Sequence, residues 1–245
     1  MLGAALHASR QLLIRPGAFF DERDPASTLP IAAGLVVLLA IALVVSMFLL
    51  SSMIADSIDG PVTVDNPDRP ADWVCDRHGD DPDSPLGQGC DEPETIERDA
   101  GSIMYDVTST YVGYVLIAPF LLWLLGGIVL YVAARIANGT PSLGGAFALA
   151  GWAALPELFR LVVGVVAVRY ALVDVTVTDL ERLPSAVEAA LVAIEPILAL
   201  ATVVTVCWQW YLLTGGMTHD ADLEWRYAAL AVGVPLVIWL LVVLV

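Results

Sequence analysis

The chain has 245 residues, 58% of them hydrophobic, and a mean hydropathy of +0.76. This excludes a water-soluble globular domain, whose surface needs far more polar area. Its 27 Asp and Glu outnumber 11 basic residues, all Arg, for a net charge of −16, which disfavours nucleic acid and anionic lipid head groups as partners. An acidic exterior without Lys reads as adaptation to high salt, of haloarchaeal type; the alternative is a GC-rich genome that favours Arg codons.

Residues 1–28 read as a cytoplasmic N-terminal segment. The opening "MLGAALHASRQLLIR" has no apolar run long enough for a cleavable signal peptide. Leu2, Leu6 and Leu13 share one helical face, with His7, Arg10 and Gln11 away from it. This predicts a short amphipathic helix lying on the membrane surface; the alternative is a plain disordered leader. Pro16 ends the helix, and Phe19 and Phe20 sit where the chain turns toward the membrane. Residues 29–54 then contain no charged side chain. They exceed the roughly 20 residues that cross a hydrocarbon core of about 30 Å, and form the first transmembrane helix.

Residues 55–106 form an acidic extracellular loop with fifteen Asp and Glu against three Arg. Within it, "CDRHGDDPDSPLGQGC" holds Cys75 and Cys90. Two Cys in one polar loop fit a disulfide on the oxidising side of a membrane. Closing a loop of that length contributes about 3 kcal/mol by the chain-entropy model. A zinc site with His78 is the rival, and it lacks a second ligand pair. The acids do not follow the spacing of a calcium-binding loop, so the loop reads as solvated surface.

Residues 107–245 form a four-helix transmembrane region, with spans near 107–134, 144–173, 189–216 and 227–245. The chain is therefore expected to be an all-α membrane protein with five transmembrane helices. The last four read as a duplicated helical hairpin. Pro119 and Pro196 open the two pairs, Gly-containing turns close their first arms, and Pro156 and Pro235 recur in the second arms. Both hairpins would begin outside and turn inside, as parallel repeats do. Each Pro is expected to kink its helix and free a carbonyl that neighbouring helices must satisfy. Cys207, alone in the fourth span, is expected to pack as a small apolar residue.

Charge inside a span is expensive, so Glu157, Arg160 and Glu195 stand out. Two arrangements are open. If the third helix is unbroken, Arg160 and Glu195 lie near one depth and pair across helices. If Pro156 breaks it, residues 146–155 lie along the inner surface. Glu157 and Arg160 then reach the interface, and Glu195 stays alone, deeper in. In both cases a structural ion pair competes with a polar path for an ion, proton or small solute.

Signals for catalysis are absent. His7, His78 and His219 fall in three separate segments, and no metalloprotease, phosphate-loop or nucleophile-elbow motif occurs. "THDADLEW" reads as a helix N-terminus, capped by Thr218 or Asp220 with Glu224 in the first turn. The Arg distribution favours a cytoplasmic N terminus and an extracellular C terminus.

"RPGAFFDERDPASTLPIAAG" resembles the start of the Yip1 domain: a basic residue, Pro, a Phe pair, then the first span. "GTPSLGGAFALAGWAALPELF", "CWQWYLLTGGMT" and the last apolar helix are similar to later parts of that family. The acidic loop with its Cys pair departs from the pattern. The resemblance implies a five-span integral membrane protein; eukaryotic members engage small GTPases and shape membranes, a role that does not carry over to a prokaryote. The expected function is a non-catalytic scaffold or interaction protein of the cell membrane, without cofactor or metal. Its partners would be the lipid bilayer and other membrane proteins or a second copy. The alternative is a permease, or the membrane subunit of a transporter, using Glu157, Arg160 and Glu195 on an unknown small molecule.

Overall fold

The computed structural model describes residues 16–58, 61–78, 85, 87–173, 175 and 182–244. The amphipathic helix expected over the first fifteen residues lies outside them. The N-terminal elements are α1 (Pro16–Asp21), a 3-10 turn (Pro25–Thr28) and α2 (Leu29–Asp56). Next come β1 (Val62–Asp65), α3 (Asp72–His78) and β2 (Thr95–Arg98). The helices α4 (Ala100–Ile136), α5 (Leu143–Trp152), α6 (Ala154–Leu172), α7 (Leu183–Asp220) and α8 (Trp225–Leu244) follow. Among the described residues five helical segments are long and apolar enough to cross a membrane, with α5 and α6 together making one.

Local chemistry sets the helix ends. Asp24 accepts from the Ala26 amide at the 3-10 turn, Asp99 from the Ser102 amide at α4, and the Ser142 hydroxyl from the Gly145 amide at α5. Each fills a donor that the first helical turn leaves open. Asn138, at φ 64°, takes the left-handed conformation that stops α4, and the Gly139 amide then donates to the Ala134 carbonyl at 2.9 Å.

The short helix α5 is the core of the bundle. Gly145, Ala146, Ala148, Leu149, Gly151 and Trp152 are all buried, enclosed by α2, the 3-10 turn, α4 and α7. Small residues allow this close approach. A Cβ on Gly151 would come within 3.0 Å of the Ala32 backbone, and one on Gly216 of α7 would overlap the Leu149 side chain. The chain is indeed broken near Pro156, at Ala153, but α5 does not lie along the membrane surface as the broken-helix arrangement expected. A run of Gly and Ala with almost no polar side chains fills a crowded interior better than a water interface.

Outward faces are apolar. Leu121 and Leu122 of α4, Val162 of α6, Leu200 of α7 and Leu230 of α8 are each at least 60% exposed. These side chains meet lipid in a membrane-spanning bundle.

The segment expected to be a plain acidic loop has structure of its own. β1 and β2 pair antiparallel, from Val62 opposite Arg98 to Asp65 opposite Thr95. Arg69 organises the remainder: its Nη1 donates to the carbonyls of Cys90 and Glu92, and its Nη2 lies 3.5 Å from Asp72 and 3.6 Å from Glu94. Short pairing strands flanked by Pro and Asp were hidden in the sequence by the density of charge.

Candidate functional site

The break between α5 and α6 leads to a cluster of charge inside the bundle. Pro156 sits in the first turn of α6, where a missing amide N–H is tolerated. The break is closed from across the interface: Gln209 of α7 donates from Nε2 to the Ala153 carbonyl, at 3.1 Å. The same nitrogen lies 3.1 Å from Glu157 Oε1, while Arg160 Nε donates to Glu157 Oε2 at 2.7 Å. Both oxygens of Glu157 are thus engaged, and its side chain is 18% exposed. Arg160 is different: its side chain is 40% exposed, and only Nε is bonded among the described residues.

Depth follows from helix rise. Gln209 lies eleven residues before Asp220, about 16 Å along α7 at 1.5 Å per residue. With Asp220 at one interface, that is near the middle of a hydrocarbon core of about 30 Å. Glu195 is exposed and lies about 37 Å from Asp220 on the same count. It therefore reaches the far interface when Asp220 is at the near one. Glu195 does not pair with Arg160, and it has no ion pair among the described residues. A span over 189–216 would hold Glu195 inside the bilayer, whereas α7 begins at Leu183, runs 38 residues and projects beyond the bilayer. The expected cluster of three is a pair plus a distant carboxylate, with Gln209 the partner that sequence reasoning missed. A lone amide in an apolar span was its signal, since such groups hydrogen-bond across helices.

The remaining candidates are dispersed. Pro119, Pro196 and Pro235 lie inside continuous helices, unlike Pro156. Cys75 and Cys90 are joined by a disulfide, with their Cα atoms 5.4 Å apart. Cys207 is exposed on α7 rather than packed in the core. Thr218 and Asp220 belong to the last turn of α7 and do not cap α8; the Glu224 carbonyl accepts from the Tyr227 and Ala228 amides, which places Glu224 before that helix.

Where the described residues begin, α1 packs against α7 and reaches the end of α5 through Phe19. Phe19 and Phe20 are 5% and 2% exposed. Phe19 stacks edge-on against Trp152 at 5.3 Å, and the Trp152 indole donates to the Thr28 hydroxyl at 2.9 Å. Ser142 donates from Oγ to Asp220 at 2.7 Å, and His219 lies 3.3 Å from Asp21. These contacts fasten the N-terminal segment, the start of α5 and the end of α7 into one cap.

Two open grooves on this molecule are apolar. A groove of about 580 Å³ runs between α4 and α8, lined by Ile128, Val132, Tyr227 and Val234 among others, and a shallower one surrounds Ala229 and Gly233. Among the described residues no three His, Cys, Asp or Glu side chains are grouped to hold a metal ion.

Residues 10–245 match the family model of the Yip1 domain. No curated protein and no solved structure matches the chain.

Proposed function

This chain belongs to the Yip1 domain family of membrane proteins, and from that premise we propose that it is a non-catalytic scaffold that organises or holds other membrane proteins. The observation that carries the reading is the state of the bundle interior. The space between α2, α4 and α7 is filled by α5, and the Glu157 carboxylate is closed by Arg160 and Gln209. A permease needs a polar cavity that reaches a face of the membrane. The two grooves described above are apolar and open sideways toward lipid, and Glu195 is about 21 Å along α7 from Gln209.

In this reading the protein lies in the cell membrane with its N-terminal cap in the cytoplasm and the disulfide-bonded acidic segment outside. The Arg asymmetry and the disulfide both support that orientation. The acidic, Lys-free exterior supports a halophilic host. Flux measurements on the purified full chain in sealed vesicles test the scaffold. No proton or solute flux above protein-free vesicles is expected. A flux that Glu157→Gln abolishes, with the variant still folded, would replace the scaffold with a permease.

A further inference from the structure

The half-exposed guanidinium of Arg160 poses a question that the isolated chain does not answer. It stands on α6 one turn from Glu157, near mid-bilayer. Its Nη1 and Nη2 groups, with four N–H donors between them, have no acceptor among the described residues. Hydrocarbon offers none, and a polar group left unsatisfied there is costly. Around it the face of α6 is apolar and open: Phe159 is 54% exposed and Val163 41%, and nothing lies within 4 Å of a Cβ built on Gly164.

The geometry points to a second copy of this chain as the occupant of that face, in a two-fold dimer in which Arg160 of each protomer reaches Glu157 of the other. Three arguments favour a copy over a different partner. Both copies cross the membrane in the same sense, so their Arg and Glu groups fall at one depth without further adjustment. The exchange is self-complementary, as a two-fold interface requires: Arg160 meets Glu157, and Glu157 meets Arg160. The four charges sum to zero, so the interface buries no net charge, and a carboxylate with both oxygens occupied retains lone pairs for a second guanidinium. Gly164 lets the two helix backbones approach closely at the crossing.

The inference names the partner and face for the scaffold proposed above and rests on that reading. It is tested on the full chain in phospholipid vesicles at low protein density, in a Cys207→Ala background with the Cys75–Cys90 disulfide intact. Oxidation should cross-link Val163→Cys into a dimer, while Leu121→Cys on α4 and Val237→Cys on α8 stay monomeric. Arg160→Leu should weaken dimerisation by about tenfold, in the range of one to two interhelical hydrogen bonds. Since that variant also disturbs the fold, Gly164→Leu serves as the second: it adds bulk only to the open face and should weaken the dimer with unchanged melting. A protein that stays monomeric, or that cross-links only through α4 or α8, overturns the interface. So does an Arg160→Leu effect confined to co-purified phospholipid, which would make a lipid phosphate the acceptor. Those outcomes leave the scaffold standing, because it is judged separately by the flux measurement.

Discussion

Gln209 on α7 bonds both Glu157 and the Ala153 carbonyl of the neighbouring segment, each at 3.1 Å. One amide therefore closes the helix break and holds Glu157, a largely buried carboxylate near mid-bilayer. Replacing it leaves a carbonyl and a carboxylate oxygen unsatisfied at once. Gln209→Leu should destabilise the detergent-purified protein by about 1–3 kcal/mol, the desolvation cost of an unpaired buried group. Thermal melting measures it. A variant that melts with the native protein shows that the bond contributes nothing.

Arg160 and Glu195 should separate cleanly. Arg160→Leu removes one partner of a largely buried Glu157, and breaking such a pair typically costs about 3–5 kcal/mol; the half-exposure of Arg160 places the loss toward or below the lower end. Glu195→Gln touches an exposed side chain and should leave melting unchanged. Equal losses from the two variants would restore the cross-helix pairing of Arg160 with Glu195.

Gly151→Val should be among the most damaging single changes. The added side chain meets the Ala32 backbone at about the Cβ distance of 3.0 Å, where neither helix can yield. Overpacking of this kind costs about 1–3 kcal/mol or more. Expression level and melting report it, with Gly113→Ala, where nothing lies within 4 Å, as the tolerated control.

The disulfide predicts both topology and local stability. A membrane-impermeant thiol reagent applied to intact cells should label Cys75 and Cys90 only after reduction. Labelling without reductant would remove the bond from the native protein, and labelling only after lysis would invert the orientation. Cys75→Ser should speed proteolysis between β1 and β2 without shifting the melting of the bundle. The disulfide ties α3 to the segment preceding β2, and the close packing around α5 does not involve it.

Composition alone placed this chain in a membrane. Long apolar runs, two of them free of charge and longer than the bilayer is thick, leave no other solution, and the five apolar runs correspond to five helical segments long and apolar enough to span among the described residues. The pairing of Cys75 with Cys90 was equally readable, since both sit in one short polar stretch. Local patterns did not say which apolar segment would be the core. Residues 143–152 look like any other span in hydropathy, yet α5 is enclosed because its Gly and Ala let α2, α4 and α7 close around it, a property of the partners as much as of the segment. The depth of Glu195 was also beyond the sequence, because a helix longer than the bilayer has two positions where the membrane could begin. Only the contact of Gln209 with the α5–α6 break fixed which carboxylate lies inside. The Phe19–Phe20 pair was readable as a motif at the chain's entry, but its burial against α7 and Trp152 came from the tertiary fold: hydrophobic side chains near an interface turn inward only where a neighbouring element leaves them a space.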